Sequence, residues 1–510
     1  MAIVDASKRK LLESVSALTH CNPFLPERLD LERAALGREF SAEVETAWSK
    51  DPAFDRERPN IKKLTRLVES LAGDLRTTLA DATRPSPADI MLYEDLVLYL
   101  LYYRVWDELN PVTLQPQKPL AAWPKFVDDF NYFLALPNRQ FSPDLEVAHV
   151  LAIFYQIRRA FHYIFHFVLG QSQPAVKLRA SIWQSIFTYD MRRYRRSLHR
   201  RMGDVATLVT GPSGTGKELV ARAVGLSRYI PFDPKRRHFV DDCQASFSAI
   251  HLAAMSPTLI ESELFGHRRG SFTGATEDHE GWLQTCGAYG SVFLDEIGEV
   301  SADIQVKLLR VLQSREFQRI GETERRRFEG KVIAATNRDL AVEMEHGRFR
   351  QDLYYRLCAD TIVTPSLREQ LDDSPADLTN LVRYIAQRVA GDDMEDLTAE
   401  VVRWIEAHLG RSYPWTGNFR ELEQCVRNVM IHAEYQPATR PEQQHADPRK
   451  AIIAGVESAC LSADELLQHY CALIYNRTGS YEKAAQKLKL DRRTVKSKID
   501  KWNARELAEE

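Results

Sequence analysis

The amino-acid sequence predicts a multidomain chain: a helical N-terminal domain, a middle α/β domain on a parallel sheet with helices after it, and a small all-α unit at the C-terminus. Three observations carry this expectation. Apolar residues recur at three-to-four spacing before residue 170, short apolar runs alternate with amphipathic stretches from Asp204 onward, and residues 462–510 return to a helical pattern rich in lysine and arginine.

At 510 residues the chain exceeds one ordinary core, because domains hold roughly 100–200 residues each. An apolar fraction of 44% with 27% charged residues is that of folded globular proteins, which excludes a disordered chain. The net charge of −3 supplies no global attraction to nucleic acid or to an anionic membrane, so any DNA contact must come from a local basic cluster. The seven cysteines (Cys21, Cys243, Cys286, Cys358, Cys425, Cys460, Cys471) form no CxxC pair and no zinc-finger spacing, which predicts reduced structural thiols. The opening MAIVDASKRKLLESV has a charged middle and no apolar core, unlike a secretory signal. The most apolar stretches, 90–106 and 147–169, are interrupted by Glu94, Asp95 and Arg104 and by Arg158 and Arg159, short of the ~20 apolar residues of a membrane span. A cytoplasmic protein without a membrane partner is expected.

Residues 1–177 read as helices around 62–80, 88–108, 124–135 and 143–169, parted by loops at Pro85 and Pro87, Pro111 through Pro119, and Pro137 and Pro143. They match no sensor pattern, and only their position suggests a regulatory role. His162 and His166 stand four apart and could set two imidazoles on one helix face as metal ligands, but Phe161, Phe165 and Phe167 around them favour packing.

Residues 178–364 form the α/β part, with buried strands expected at 205–210, 291–294 and 332–335. The first strand runs into Gly211, Pro212, Ser213, Gly214, Thr215, Gly216, Lys217 and Glu218, and a helix-forming run follows. This is the GxxxxGK phosphate-binding pattern in its strand-loop-helix context: glycines let backbone N–H groups turn inward, Lys217 faces the β and γ phosphates, and the helix N-terminus adds its dipole. Glu218 stands where a hydroxyl for magnesium is usual, so the metal must be held from elsewhere. The strand 291–294 ends in Asp295 and Glu296, where Asp295 can hold Mg²⁺ and Glu296 can orient and polarise the attacking water. Residues 365–435 read as a helical lid, and the polar, proline-bearing stretch 436–461 as a linker to a last helical unit at 462–510.

With these motifs in place, the chain closely resembles the sigma-54-interacting AAA+ ATPases of bacterial enhancer-binding proteins. The most specific match is the loop Gly270, Ser271, Phe272, Thr273, Gly274, Ala275, where the family's signature reads GAFTGA and Ser271 replaces the first alanine. Glycines flanking a Phe-Thr pair suit a mobile loop with an exposed aromatic tip. The resemblance implies that Phe272 and Thr273 touch sigma-54 when the ATP state raises the loop. It also implies that Asn337, in the sequence Ala334-Ala335-Thr336-Asn337, is the sensor of the γ-phosphate, that Arg350 and Arg356 are arginine fingers acting on the ATP of a neighbouring subunit, and that Arg420, in a segment with Thr416 for the usual proline, reaches the nucleotide from the lid. Counting back from Glu261 places His251 where the family has an asparagine that restrains the catalytic glutamate. The stretch before Glu261, with the basic run 235–238, is longer than the family pattern.

The C-terminal segment 479–499 resembles the family's Fis-type helix-turn-helix. Ala484 and Ala485 allow close helix crossing, Leu488, Leu490, Val495 and Ile499 space a small core, and Asp491 is placed to cap the second helix. That helix carries Arg492, Arg493, Thr494, Lys496 and Lys498, the basic cluster that the net charge conceals, for bases and phosphates of double-stranded enhancer DNA. The function implied is a sigma-54-dependent transcription activator, binding ATP and Mg²⁺ and assembling from dimers into a ring, with the sigma-54 RNA polymerase holoenzyme as target. A nucleotide-sensing DNA-binding regulator acting without sigma-54 is the alternative.

Overall fold

In the computed structural model, residues 6–41, 59–82, 84–114, 118–137, 139–242, 246–437, 462–478 and 480–506 are described. They fall into two units, 1–431 and 432–510.

Helical spacing of apolar residues explains the first third. Helices α1 (Ala6–His20), α2 (Glu27–Leu36), α3 (Pro59–Asp81), α4 (Pro87–Leu114), α5 (Trp123–Leu134), α6 (Val147–Phe167), α7 (Gln173–Phe187) and α8 (Met191–Arg196) precede the first strand. In α3 the buried positions Ile61, Leu64, Val68, Leu71, Leu75 and Leu79 form one stripe, the 3.6-residue period seen as burial. Helices α1 and α2 lie outside the stretches that sequence periodicity identifies. Pro111, expected in a loop, lies inside α4. It costs the last turn a main-chain donor, and burial of Leu109 and Val112 in the surrounding core outweighs that loss.

The central sheet contains β1 (Thr207–Thr210), β4 (Phe247–His251), β5 (Ser291–Asp295), β8 (Lys331–Thr336) and β9 (Asp360–Val363) in the order β4-β5-β8-β1-β9. All its pairings are parallel, as the apolar runs predict. Strands β4 and β9 escape sequence reading, since they sit at the edges and each buries a single residue, Ile250 and Ile362. Along β8 and β1, Ile333, Ala335 and Val209 face one apolar cluster while Val332, Ala334 and Leu208 face another, so both sides of the sheet are covered. The first cluster includes residues of α6 and α7, so the N-terminal helices share a core with the sheet. The border expected at 177/178 falls within α7.

Between the sheet strands lie α9 (Lys217–Gly225), α10 (Pro257–Phe265), α11 (Trp282–Thr285), α12 (Ala302–Ser314), α13 (Leu340–Glu345) and α14 (Gln351–Leu357). The long segment after α9 holds a hairpin of β2 (Phe232–Asp233) and β3 (His238–Phe239), with the basic run at its turn. Its phenylalanines anchor it: Phe239 stacks on Tyr155 at 3.6 Å between ring centres, and Phe232 lies 4.7 Å from Trp123. A second small hairpin pairs β6 (Glu316–Phe317) with β7 (Arg326–Arg327).

The lid contains α15 (Leu367–Asp373), α16 (Asp377–Ala390), α17 (Met394–His408) and α18 (Asn418–His432). Helix α15 opens on a capping box in which Ser366 and Glu369 satisfy each other's backbone N–H. Asp377, at the start of α16, accepts N–H bonds from Gln171 and Ser172 at 2.7 and 2.9 Å, tying the lid to the entrance of α7.

The second unit contains α19 (Ala463–Thr478), α20 (Tyr481–Leu488) and α21 (Arg492–Glu506) around Cys471, Ile474, Ala484, Ala485, Val495 and Ile499. Lys489 turns the chain between α20 and α21 in the left-handed conformation, at φ 54°. Residues 438–461 of the expected linker, together with Cys243, Cys460 and Gly479, lie outside the described residues. Among the described residues no helix is long and apolar enough to cross a membrane.

Candidate functional site

Parallel strands bring their C-terminal ends to one edge, and that edge collects the residues singled out in the sequence. The loop after β1 bends through Gly211, Gly214 and Gly216, all at positive φ. Two of these glycines are required by close approach as well. A Cβ on Gly211 would lie 2.2 Å from Thr364 Oγ1, and one on Gly214 would lie 2.2 Å from the carbonyl oxygen of Gly417 in the lid. Thr215 Oγ1 donates to the Pro212 carbonyl at 2.8 Å and sits 2.7 Å from Thr364 Oγ1. Thr364 has no signal in the sequence, because only the pairing of β9 beside β1 brings it here.

Lys217, the first residue of α9, is buried, and its Nζ donates to the carbonyls of Gly211 and Pro212 at 3.0 and 3.2 Å. Burial holds its pKa below the ordinary lysine value, opposed by the carboxylates of Glu296 and Asp295. Glu218 turns away from the loop into an ion pair with Arg222 one turn later, at 2.8 Å.

Asp295 ends β5, and Glu296 follows it in the left-handed conformation at φ 55°. That unfavourable backbone, sparsely populated by non-glycine residues, swings the Glu296 carboxylate toward β8, where Oε2 accepts the Asn337 N–H at 3.3 Å. Asn337 thus meets Glu296 through its main chain. His251 meets the other acid: its Nδ1 lies 3.0 Å from Asp295 Oδ2. Sequence counting aligned His251 with the position that restrains the glutamate, but the β4–β5 register sets it directly opposite Asp295.

The lid closes over the loop. Asn418, at φ 53°, donates from Nδ2 to the Ser213 carbonyl at 2.9 Å and accepts the Leu367 N–H at 2.8 Å. Phe419 N–H bonds the Gly214 carbonyl at 3.0 Å, and Arg420 Nη1 donates to Ser213 Oγ at 3.2 Å. Glu421 fixes the preceding turn by accepting the Gly417 N–H at 2.7 Å.

Arg350 precedes the first residue of α14, and Arg356 lies in its last turn. Arg350 pairs with Asp352 at 2.7 Å, and Arg356 is exposed; among the described residues neither bonds to the 211–218 loop. Gln305, unremarked in the sequence, holds this segment from within α12. Its buried amide donates to the carbonyls of Val300 and Arg348 at 3.1 and 2.9 Å and accepts the Arg350 N–H at 2.8 Å.

Residues 270–275 form a short closed loop in which Gly270 N–H bonds the Ala275 carbonyl at 2.8 Å and Ala275 N–H bonds the Phe272 carbonyl at 3.1 Å. Thr273 is exposed at its tip, as expected. Phe272 is not: it is half-buried, edge-on to the His267 ring at 4.9 Å between centres. The edge-to-face contact holds the Phe272 ring against the imidazole. Ser271 packs against Gly321, and its buried Oγ finds no partner among the described residues. Ser271→Ala removes a desolvated hydroxyl, and a gain of about 1 kcal/mol, seen as a higher midpoint in thermal unfolding, is expected; a lower midpoint would show that the hydroxyl is satisfied.

In the second unit Asp491 caps α21, accepting the Arg493 N–H at 2.7 Å, as its position before the helix implied. Arg492, Arg493, Thr494 and Lys496 are exposed, with Arg492 3.0 Å from Glu482. Lys498 is partly buried and paired with Asp464 of α19, which takes it out of the free basic cluster. His162 and His166 stack in parallel at 6.0 Å, and burial pushes His162 down to about 4. Among the described residues no three side chains are grouped to hold a metal ion.

Residues 188–363 match the model of the sigma-54 interaction domain. This stretch of the chain is a sigma-54 interaction domain. Curated relatives that share it include transcriptional regulatory protein ZraR of Klebsiella oxytoca, 37% identical over 302 residues covering 58% of this chain and 64% of that one. They also include the Nif-specific regulatory protein of Azotobacter vinelandii, 41% identical over 46% of this chain and 41% of its own, and DNA-binding transcriptional regulator NtrC of Rhizobium meliloti, 41% identical over 46% and 45%. The chain thus spans between about two fifths and just under two thirds of these relatives. Among solved structures, NtrX from Brucella abortus in complex with ATP aligns over 79% of this chain and 87% of its own at 20% identity and a TM-score of 0.40. The domain begins at Thr188, directly after α7, and ends with β9, so it takes in every strand of the sheet and both the 211–218 and 270–275 loops.

Proposed function

We propose that this chain is a sigma-54-dependent transcription activator that couples ATP hydrolysis to remodelling of the sigma-54 RNA polymerase holoenzyme, while its C-terminal unit binds enhancer DNA. The observation that carries the reading is the pairing, inside one sigma-54 interaction domain, of a phosphate-binding loop with the Gly270–Ala275 loop.

The residues present fit a nucleotide with its magnesium. Glycines at 211, 214 and 216 give the loop the positive φ values of a turn whose backbone N–H groups can face a phosphate, and Lys217 already spans two loop carbonyls that a phosphate would replace as its partner. Asp295 would hold Mg²⁺, since Glu218 is engaged with Arg222. The metal supplies charge neutralisation for the transferring phosphoryl group. Glu296 orients the attacking water and takes its proton, and the bond from the Asn337 N–H keeps that carboxylate aimed until Asn337 shifts. Arg420 and Asn418 carry the state of the loop to the lid.

Arg350 and Arg356 act in trans on the nucleotide of a neighbouring subunit, which makes a ring, reached from dimers, the working form. Guanidinium groups suit that role because they neutralise charge spread over the transferring phosphoryl oxygens. Phe272 and Thr273 make the contact with sigma-54 once Phe272 leaves His267. The three helices 463–506 act as a Fis-type helix-turn-helix, with Arg492, Arg493, Thr494 and Lys496 toward DNA and Lys498 serving its core instead.

Phe272→Ala tests the reading. ATPase within about twofold of the parent is expected, with transcription from a sigma-54 promoter in a purified system reduced at least about 50-fold, because the aromatic contact is lost and the catalytic edge is untouched. Unchanged transcription would favour a regulator that acts without sigma-54.

A further inference from the structure

At the opposite edge of the sheet, where the strands begin, lies a cleft of about 960 Å³ between the N-terminal helices and the ATPase core. It is unlike the apolar interiors on both sides of it. Its floor carries Lys331, at the start of β8, with Arg228 and Arg315; Arg196, Arg200 and Arg327 are exposed at its mouth.

The floor cations are fixed in place. Lys331 Nζ donates to the carbonyls of Val205 and Met202 at 2.7 and 3.3 Å, Arg228 bonds the Gly290 carbonyl, and Arg315 lies 3.5 Å from Asp204. Burial pushes Lys331 down to about 8 and Arg228 down to about 10, the mark of positive charge held where water is scarce. The mouth is different. Among the described residues Arg196, Arg200 and Arg327 have no carboxylate within salt-bridge distance, although Arg200 Nε donates to His199 Nε2 at 3.3 Å. Of the acids lining the cleft, Asp144 is already paired with Arg195 and Asp204 with Arg315, leaving Glu146 and Glu329. Two histidines on the wall add no charge. His199 donates from Nδ1 to the Tyr194 carbonyl while accepting from Arg200, and His149 bridges Tyr229 Oη and the Arg195 carbonyl; these patterns suit neutral rings, and burial holds both pKa values below the ordinary histidine range. A cleft with surplus guanidinium groups, forked donors and aromatic walls from Tyr229 and Tyr289 suits a phosphate ester or pyrophosphate.

We propose that this cleft is a second anion site, separate from the 211–218 loop, that takes a phosphorylated small molecule and lies where the N-terminal region could report on it. It is placed to act: Ser227 and Arg228, which line it, directly follow α9, the helix that begins with Lys217.

Binding of inorganic pyrophosphate to the full chain, measured by equilibrium dialysis in a Lys217→Ala background that removes the first site, tests this. One saturable site is expected, weakened at least ~10-fold when Arg200 and Arg327 are both changed to Ser, with hydrogen exchange slowed by pyrophosphate at residues 196–203 and 227–229. Both serine changes are at exposed positions, and an unchanged melting temperature checks that the fold survives. Absence of saturable binding up to millimolar pyrophosphate, equal affinity with and without the two arginines, or protection only elsewhere would overturn the proposal. None of these outcomes depends on sigma-54 or on ATP turnover.

Discussion

Glu296→Gln is expected to leave ATP binding within about twofold while slowing phosphate release by about 10²- to 10³-fold. The substitution keeps the side-chain shape and an oxygen that can accept the Asn337 N–H, 3.3 Å from Oε2 in the parent, so the nucleotide pocket should stand unchanged. What disappears, on the proposed function, is the carboxylate that takes a proton from the attacking water. On the proposed function Lys217 meets the phosphates and is left alone, and that is why affinity and turnover should separate. Fluorescent nucleotide titration against a phosphate-release assay checks the split. Comparable loss of both would mean that Glu296 shapes the pocket rather than the reaction.

Arg159→Ala should cost about 3–5 kcal/mol of stability. Arg159 is fully buried in α6, and its guanidinium donates to the carbonyls of Leu226, the residue that caps α9, at 2.7 Å, and of Arg228 two residues later. A cation there satisfies carbonyls that a helix end leaves open and opposes the partial negative charge of the terminus. Alanine leaves those oxygens buried without a donor and opens a cavity beside Tyr155, whose ring the guanidinium covers at 4.5 Å. Chemical denaturation of the first unit reads the loss. A shift below about 1 kcal/mol would show that water replaces the side chain without penalty.

What the sequence disclosed follows the range of the interactions involved. The 211–218 loop and the Asp295–Glu296 pair were legible because strand, loop and helix are contiguous, so spacing alone carries their geometry. Long helices such as α3 and α6 were legible for the same reason: their periodicity is local. Strands β4 and β9 were not, because each is an edge strand whose identity depends on a neighbour far along the chain. Thr364 and Gln305 were invisible on that account, and the pairing of His251 with Asp295 follows from a sheet register that counting residues cannot supply. Phe272 was expected at an exposed tip, and its ring instead lies edge-on to His267 five residues earlier, a local contact that glycine spacing does not reveal. Lys498 looked like a DNA ligand until α19 supplied Asp464.

Beside the side-chain bonds of Asn418 and Arg420, the lid grips the phosphate loop through a main-chain bond, Phe419 N–H to the Gly214 carbonyl, across a gap so narrow that glycine is needed at 214. Substituting Asn418 or Arg420 removes a side-chain bond and leaves that main-chain bond in place. On the proposed function, spent nucleotide leaves only when the whole four-helix cap tilts away, so emptying the pocket and reshaping the subunit's outer surface become a single motion, with its tempo set by peptide geometry.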